Sequence, residues 1–309
     1  MGKQVLQRLL LVIPIMIGVY TVVFILIRVV PGDPIMALIE DGVVTPDLIE
    51  SLRHEYGLDR PVYVQYFESL GRLIRLDLGT SFHTGQPVLQ MVKEVLPYSV
   101  QLTLAAMAIA ASFGLLTGVL SAVKHNTWLD TASMFFATVG IAAPDFWLGL
   151  MLIFLFVLIL GWFPLTDVDF SWKYLALPAI TLAVRPMASI ARLARASCLE
   201  IFGEGYVLTA RSKGLKERTV LGRHVLRNSL IPVITIIGID LAATLSNAMV
   251  IEVVFARPGL GRLVLSSIFH KDFPAVQSTV MLISLAYVLA NIFVDLSYSF
   301  LDPRIRTST

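Results

Sequence analysis

Apolar residues fall along this chain in six long blocks, at approximately Leu9–Val30, Tyr98–Val123, Thr131–Leu160, Leu175–Ala196, Ser229–Phe255 and Pro274–Leu301. Each reaches the roughly 20 residues with which a helix crosses a ~30 Å hydrocarbon layer. The blocks are continuous and do not alternate, so helices that satisfy their own backbone groups are predicted, and a barrel is not. The third block is longer than a span needs, and tilt or a bend at Pro144 is expected there. The predicted fold is an all-α polytopic membrane protein with six transmembrane helices.

Two polar stretches interrupt this pattern. The segment Pro31–Pro97 is the longer, and within it Val62, Tyr66, Leu70, Leu73 and Ile74 recur at helical spacing between charges. A helix lying on the membrane surface or on the other spans is expected there. It serves either as packing cover for the bundle or as a platform for an external partner. Breaker clusters at Pro31-Gly-Asp-Pro34 and Arg257-Pro-Gly-Leu-Gly-Arg262 are expected to end helices and shape turns, with an outer gate as the alternative.

The second stretch, Glu204–Pro232, is basic and flanked by spans. Val207, Ala210 and Arg211 are expected on one face of a short helix beginning at Glu204, with Gly214 as its left-handed cap. A second helical piece is predicted from Glu217 to Arg227, and Pro232 is placed near the first turn of the fifth span, where a missing amide costs nothing. A short helix held between two spans can transmit a rigid push, which a floppy loop cannot. The plainer alternative is a basic loop reading an anionic leaflet.

Within the blocks, Gly114 and Gly118 form a G-x-x-x-G flanked by Ala106, Ala110 and Ala122, which lets two helix backbones approach in lipid. The pattern does not say whether the neighbour is in this chain or another. Arg185, Asp240, Asn247, Asn291 and Asp295 fall inside spans, where charge is costly and polar groups face a bundle interior or a wet path. Asp240 with Asn247, and Asn291 with Asp295, share helix faces. Arg185 is expected to line the path or to pair with Asp240 or Asp295. Glu252 is expected to reach the interface, and Arg28 to snorkel at a helix end.

Composition fits lipid as the main solvent: 56% hydrophobic residues, 15% charged, mean hydropathy +0.79. A net charge of +2 gives no footing for nucleic acid, and five scattered histidines with one cysteine give no metal site or disulfide framework. With the N-terminus inside, thirteen lysines and arginines lie on the inner side and four in the short outer loops, favouring both termini in the cytoplasm. No phosphate-binding G-x-x-x-x-G-K-[S/T] loop occurs, so the chain is not expected to hydrolyse ATP or to hold a cofactor.

Taken in order, several pieces are specific: Tyr56-Gly-Leu-Asp-Arg-Pro61, Asp77-Leu-Gly-Thr-Ser81, Thr209-Ala-Arg-Ser-Lys-Gly-Leu215, His224-Val-Leu-Arg-Asn-Ser-Leu-Ile-Pro232, Pro258-Gly-Leu-Gly261 and Leu301-Asp-Pro-Arg-Ile-Arg306. Over nearly its full length the chain resembles the inner-membrane permease subunits of dipeptide, oligopeptide and nickel ABC importers, the first of the two paired permeases. The Glu-Ala-Ala of the wider permease motif is replaced here by Thr209-Ala210-Arg211.

The resemblance implies an N-terminal helix with a large periplasmic loop (1–97) and a five-helix permease core (98–309) containing a coupling loop (199–231). It implies a coupling helix at Glu204, Tyr206, Val207, Ala210, Arg211, Lys213 and Gly214. It further implies a second permease, two ATPase subunits that bind ATP and Mg, and an external solute-binding protein. Peptides are the expected solute, with nickel, metal chelates or glutathione as alternatives. An ion-coupled transporter using Asp240 and Asp295, or a membrane scaffold, are the rivals of another class.

Overall fold

In the computed structural model, residues 2–29, 35, 46–75, 77–164 and 172–301 are described. Eleven helices are named among them: α1 (Gly2–Val29), α2 (Pro46–Glu55), α3 (Val62–Ile74), α4 (Val88–Val123), α5 (Trp128–Ala142), α6 (Asp145–Ile159), α7 (Trp172–Phe202), α8 (Gly205–Ser212), α9 (Glu217–Val254), α10 (Leu260–Phe269) and α11 (Phe273–Leu301). Five are long and apolar enough to cross a membrane, or six if α5 and α6 together form one broken span. Block by block, the apolar pattern locates these helices.

The third block departs furthest from a simple span. Its two arms meet at 106°. Proline disfavours the helical region for the residue before it, and Ala143 is extended at φ −71°, ψ 132°. The expected bend at Pro144 is therefore a full break. From Ile153 the second arm continues in π register.

The chain forms two compact units, one built from residues up to Tyr98 with Pro258–Val288, the other from Ser99–Arg257 with the chain from Leu289 onward. In the second unit, α4, α7 and α9 enclose a core that includes Leu102, Ala106, Ala110, Leu182, Ile190 and Ile251. A Cβ built on Gly114 would come within 2.7 Å of the Met187 carbonyl, and one on Gly118 within 2.8 Å of Ala194 Cβ. The G-x-x-x-G motif is thus spent inside the chain, against α7.

In the first unit, Tyr20, Phe24 and Met281 pack with Tyr66, Leu70 and Leu73, so α3 lies on α1 and α11. Val62 and Ile74, expected on the same inner face, are exposed, because they sit at the two ends of the helix. Arg28 does not simply snorkel. Its guanidinium donates to Gln65 Oε1 at 2.7 Å and lies 3.4 Å from the Phe24 ring centroid.

The Asp77–Ser81 segment docks on the start of α11. Ser81 donates to the Asp272 carboxylate, Phe82 N–H donates to its other oxygen at 3.1 Å, and Ser278 donates to the Leu78 carbonyl at 2.8 Å. The Pro31-Gly-Asp-Pro34 cluster lies outside the described residues. Arg257, at the head of the second breaker cluster and counted among the outer-loop charges, is completely buried, donating to Gln101 Oε1 at 2.8 Å beside the Tyr174 ring. Glu252, expected at the interface, is also completely buried.

Candidate functional site

The basic insert folds into a fixed elbow. α8 starts after Glu204, which is extended at φ −69°, ψ 140°, and ends at Lys213. Gly214 follows at φ +75°, with its N–H on the Arg211 carbonyl at 2.9 Å and the Leu215 N–H on the Ala210 carbonyl at 3.4 Å. This pair of bonds is the Schellman termination that a left-handed glycine permits. The space around a Cβ at Gly214 is open, so the backbone angle alone asks for glycine.

α8 has a dry underside. Val207 and Ala210 are buried with Ala122 of α4, Cys198 of α7, and Val220 and Val225 of α9. Arg211, expected on that face, is instead at its edge: it donates to both Glu217 oxygens, at 2.9 and 3.3 Å, and lies 5.4 Å from the Phe202 ring centroid. Tyr206, Leu208 and Lys213 are exposed, with the Tyr206 hydroxyl accepting from Asn228 at 2.8 Å.

The second helical piece is no separate element. It is the first part of α9, which passes through π register over Val220–Leu226. In an α-helix, residues five apart point about 140° away from each other. The i→i+5 bonding of a π turn stacks them instead, which lets Val220 and Val225 both enter the same core. Pro232 consequently lies well inside a helix and not in its first turn.

Next to this core is a polar clamp that the hydropathy pattern did not reveal. Asp130, almost fully buried at the start of α5, accepts two hydrogen bonds from Arg195 of α7, at 2.6 and 2.8 Å. It also accepts from Ser121 of α4 and from the Asn126 N–H at 3.0 Å. His125 Nδ1 lies 3.1 Å from the same guanidinium. The sequence signal was available: an acid and an arginine, each near the end of a different span.

The intramembrane candidates are dispersed. Arg185 does not pair with Asp240; it faces Asp145 at 3.7 Å, the first residue after the Pro144 break. Asp240 is half-buried, and its Oδ2 has no hydrogen-bond partner among the described residues. Asn247 is exposed and Asn291 half-buried. The side chain of Asp295 lies outside the described ones.

The family model "Binding-protein-dependent transport system inner membrane component" matches residues 114–307, and its N-terminal companion matches residues 1–103. A dipeptide transport system permease protein of Alkalihalophilus pseudofirmus is 37% identical over 97% of this chain and 98% of its own length. A di/tripeptide transport system permease protein of Pseudomonas aeruginosa is 37% identical over 97% of both. A glutathione transport system permease protein of Escherichia coli is 38% identical over 99% of both. Among solved structures, an inward-facing methionine ABC transporter matches with TM-score 0.57 at 17% identity, over 70% of this chain and 98% of that one. An amino acid ABC transporter matches with TM-score 0.56 at 15% identity, over 68% and 94%. At such identities these two structures speak to the fold alone.

Proposed function

The chain belongs to the family of binding-protein-dependent transport system inner membrane components, and from that premise we propose that it is the permease of an ATP-driven importer of small peptides. A homologous second permease completes the translocation path. Two ATPase subunits, which bind the ATP and Mg, dock from the cytoplasm, and a solute-binding protein delivers peptide on the other side. Both termini face the cytoplasm. The substrate class is supported by relatives named for dipeptides, di/tripeptides and glutathione, itself a tripeptide.

The observation that carries the ATP-driven reading is the underside of α8. Force applied to its exposed residues Tyr206, Leu208 and Lys213 passes through Val207 and Ala210 into a core shared by α4, α7 and α9. Glu204 sets the entry to the helix, while Arg211 and Gly214 hold its exit. A push therefore moves the bases of three helices together. For ATP to drive alternating access, the closed ATPase pair must favour one arrangement of these helices, since equal affinity for both shifts nothing.

The test is uptake of labelled dipeptide by membrane vesicles carrying the assembled transporter. Leu208→Arg is expected to abolish uptake and ATPase co-purification while the permease still inserts. Undiminished uptake by that variant, or uptake driven by an ion gradient without ATP, overturns the reading. Competition by tripeptide, glutathione or nickel ion then ranks the solutes.

A further inference from the structure

At the end of α1 that carries Arg28, an apolar groove of about 230 Å³ runs between α1 and the α10–α11 turn. Val23, Leu26 and Ile27 form one wall, and Phe273, Val276 and Val280 the other. Its single charged lining residue is Lys271. Around the groove the surface stays apolar: Leu26, Val29, Ile268 and Phe269 are all exposed.

Three facts decide what fits. α1 ends at Val29 and α11 begins at Phe273, so Lys271 stands where two spans end, at head-group depth and not in hydrocarbon. Its ammonium makes no ion pair or hydrogen bond with any described residue, whereas the nearby carboxylate of Asp272 is already occupied by Ser81, Phe82 N–H and Ala275 N–H. Finally, an entering protein helix would have to bring its own acid to meet the lysine, while a phospholipid carries phosphate and acyl chain at the right separation by construction.

We propose that this groove seats one acyl chain of an anionic phospholipid, whose phosphate pairs with Lys271. The head group must be net anionic, because a zwitterionic one brings its own ammonium to the phosphate. One lysine near an anionic surface is worth about fivefold in occupancy. Lipid seated there is independent of what the transporter carries.

The experiment uses the assembled transporter in vesicles of phosphatidylethanolamine with a minority of phosphatidylglycerol. A trace of phosphatidylglycerol, or of phosphatidylethanolamine, carries a photoactivatable acyl chain, and labelled peptides are mapped. The expected result is labelling of α1 around Val23–Ile27 and of α11 around Val276–Val280, about fivefold stronger from the phosphatidylglycerol probe. Lys271 has φ +52°, so Lys271→Asn removes the charge in a residue that tolerates the left-handed region. That variant should equalise the two probes while Lys271→Arg keeps the preference. Equal labelling by both probes in the wild type, or cross-linking of the groove to the second permease in place of lipid, overturns the proposal.

Discussion

Gly214 and Asp130 act on the same elbow for different physical reasons, and substitution separates them. At Gly214 only the positive φ requires glycine, since no neighbour lies within 4 Å of a built Cβ. Asparagine tolerates that region and a β-branched residue does not. Gly214→Asn should therefore keep most ATP-dependent uptake, whereas Gly214→Val should lose it, with the exit of α8 destabilised by about 1–2 kcal/mol. Equal uptake by the two variants would show that backbone conformation is not what matters there. At Asp130 the issue is satisfaction. Removing the carboxylate strands the Arg195 guanidinium and the Ser121 hydroxyl, at a cost of about 1–3 kcal/mol for a buried group left unpaired. Asp130→Ala should lower the thermal midpoint of the purified transporter and loosen coupling of ATP hydrolysis to uptake. Asp130→Glu should recover only part, because the longer side chain misplaces the two parallel bonds. Of these two residues the sequence announced one. A glycine closing a short helix has a local signature, whereas Asp130 and Arg195 are 65 positions apart and meet only through the packing of α5 on α7.

Helices show the same division between what is local and what is not. The apolar blocks located the spans, because a 20-residue run must be hydrophobic to lie in lipid whatever it packs against. Proline at 144 marked where the third block yields, but the 106° angle depends on the partners of each arm. The G-x-x-x-G pattern announced a close approach and left the neighbour open; the contact with α7 settles it. Introducing a side chain there should be severe: Gly118→Leu would drive a branched chain into the Ala191–Ala194 turn, and overpacking of this kind costs about 1–3 kcal/mol or more. Loss of properly inserted permease is the expected readout. Least legible was the π turn of α9, since periodicity arguments assume one register throughout. Its logic is checkable. Deleting Gly222, whose position has open space around it, shortens the Val220–Val225 separation to four and favours ordinary α register. Both valines then still face the core, and the residues before Val220 keep their orientation, because four α residues and five π residues turn through nearly the same angle. The deletion variant should therefore insert, assemble and transport; loss of transport would mean that the π turn does more than place the two valines.

At the scale of the whole chain, the proposed importer makes the elbow and the intramembrane polar groups parts of one path of force and solute. Asn247 lies two turns from Asp240 on α9 and is exposed, and a polar side chain at depth is costly against lipid. Facing a second permease across a wet path removes that cost, so Asn247→Leu should slow uptake without weakening assembly. Direction across the membrane can be fixed independently, because the chain has a single cysteine, Cys198, and it is buried. A membrane-impermeant thiol reagent therefore meets little background. Cysteine placed at Lys213, exposed at the exit of α8, should react only from the cytoplasmic side, and cysteine placed at Thr84, exposed between α3 and α4, only from the other. The positive charge of the insert argues for that sidedness, and so does mechanics. A subunit fuelled by cytoplasmic ATP can be driven through α8 only if α8 faces the ATP, so reversed labelling would remove the peptide importer and its elbow together.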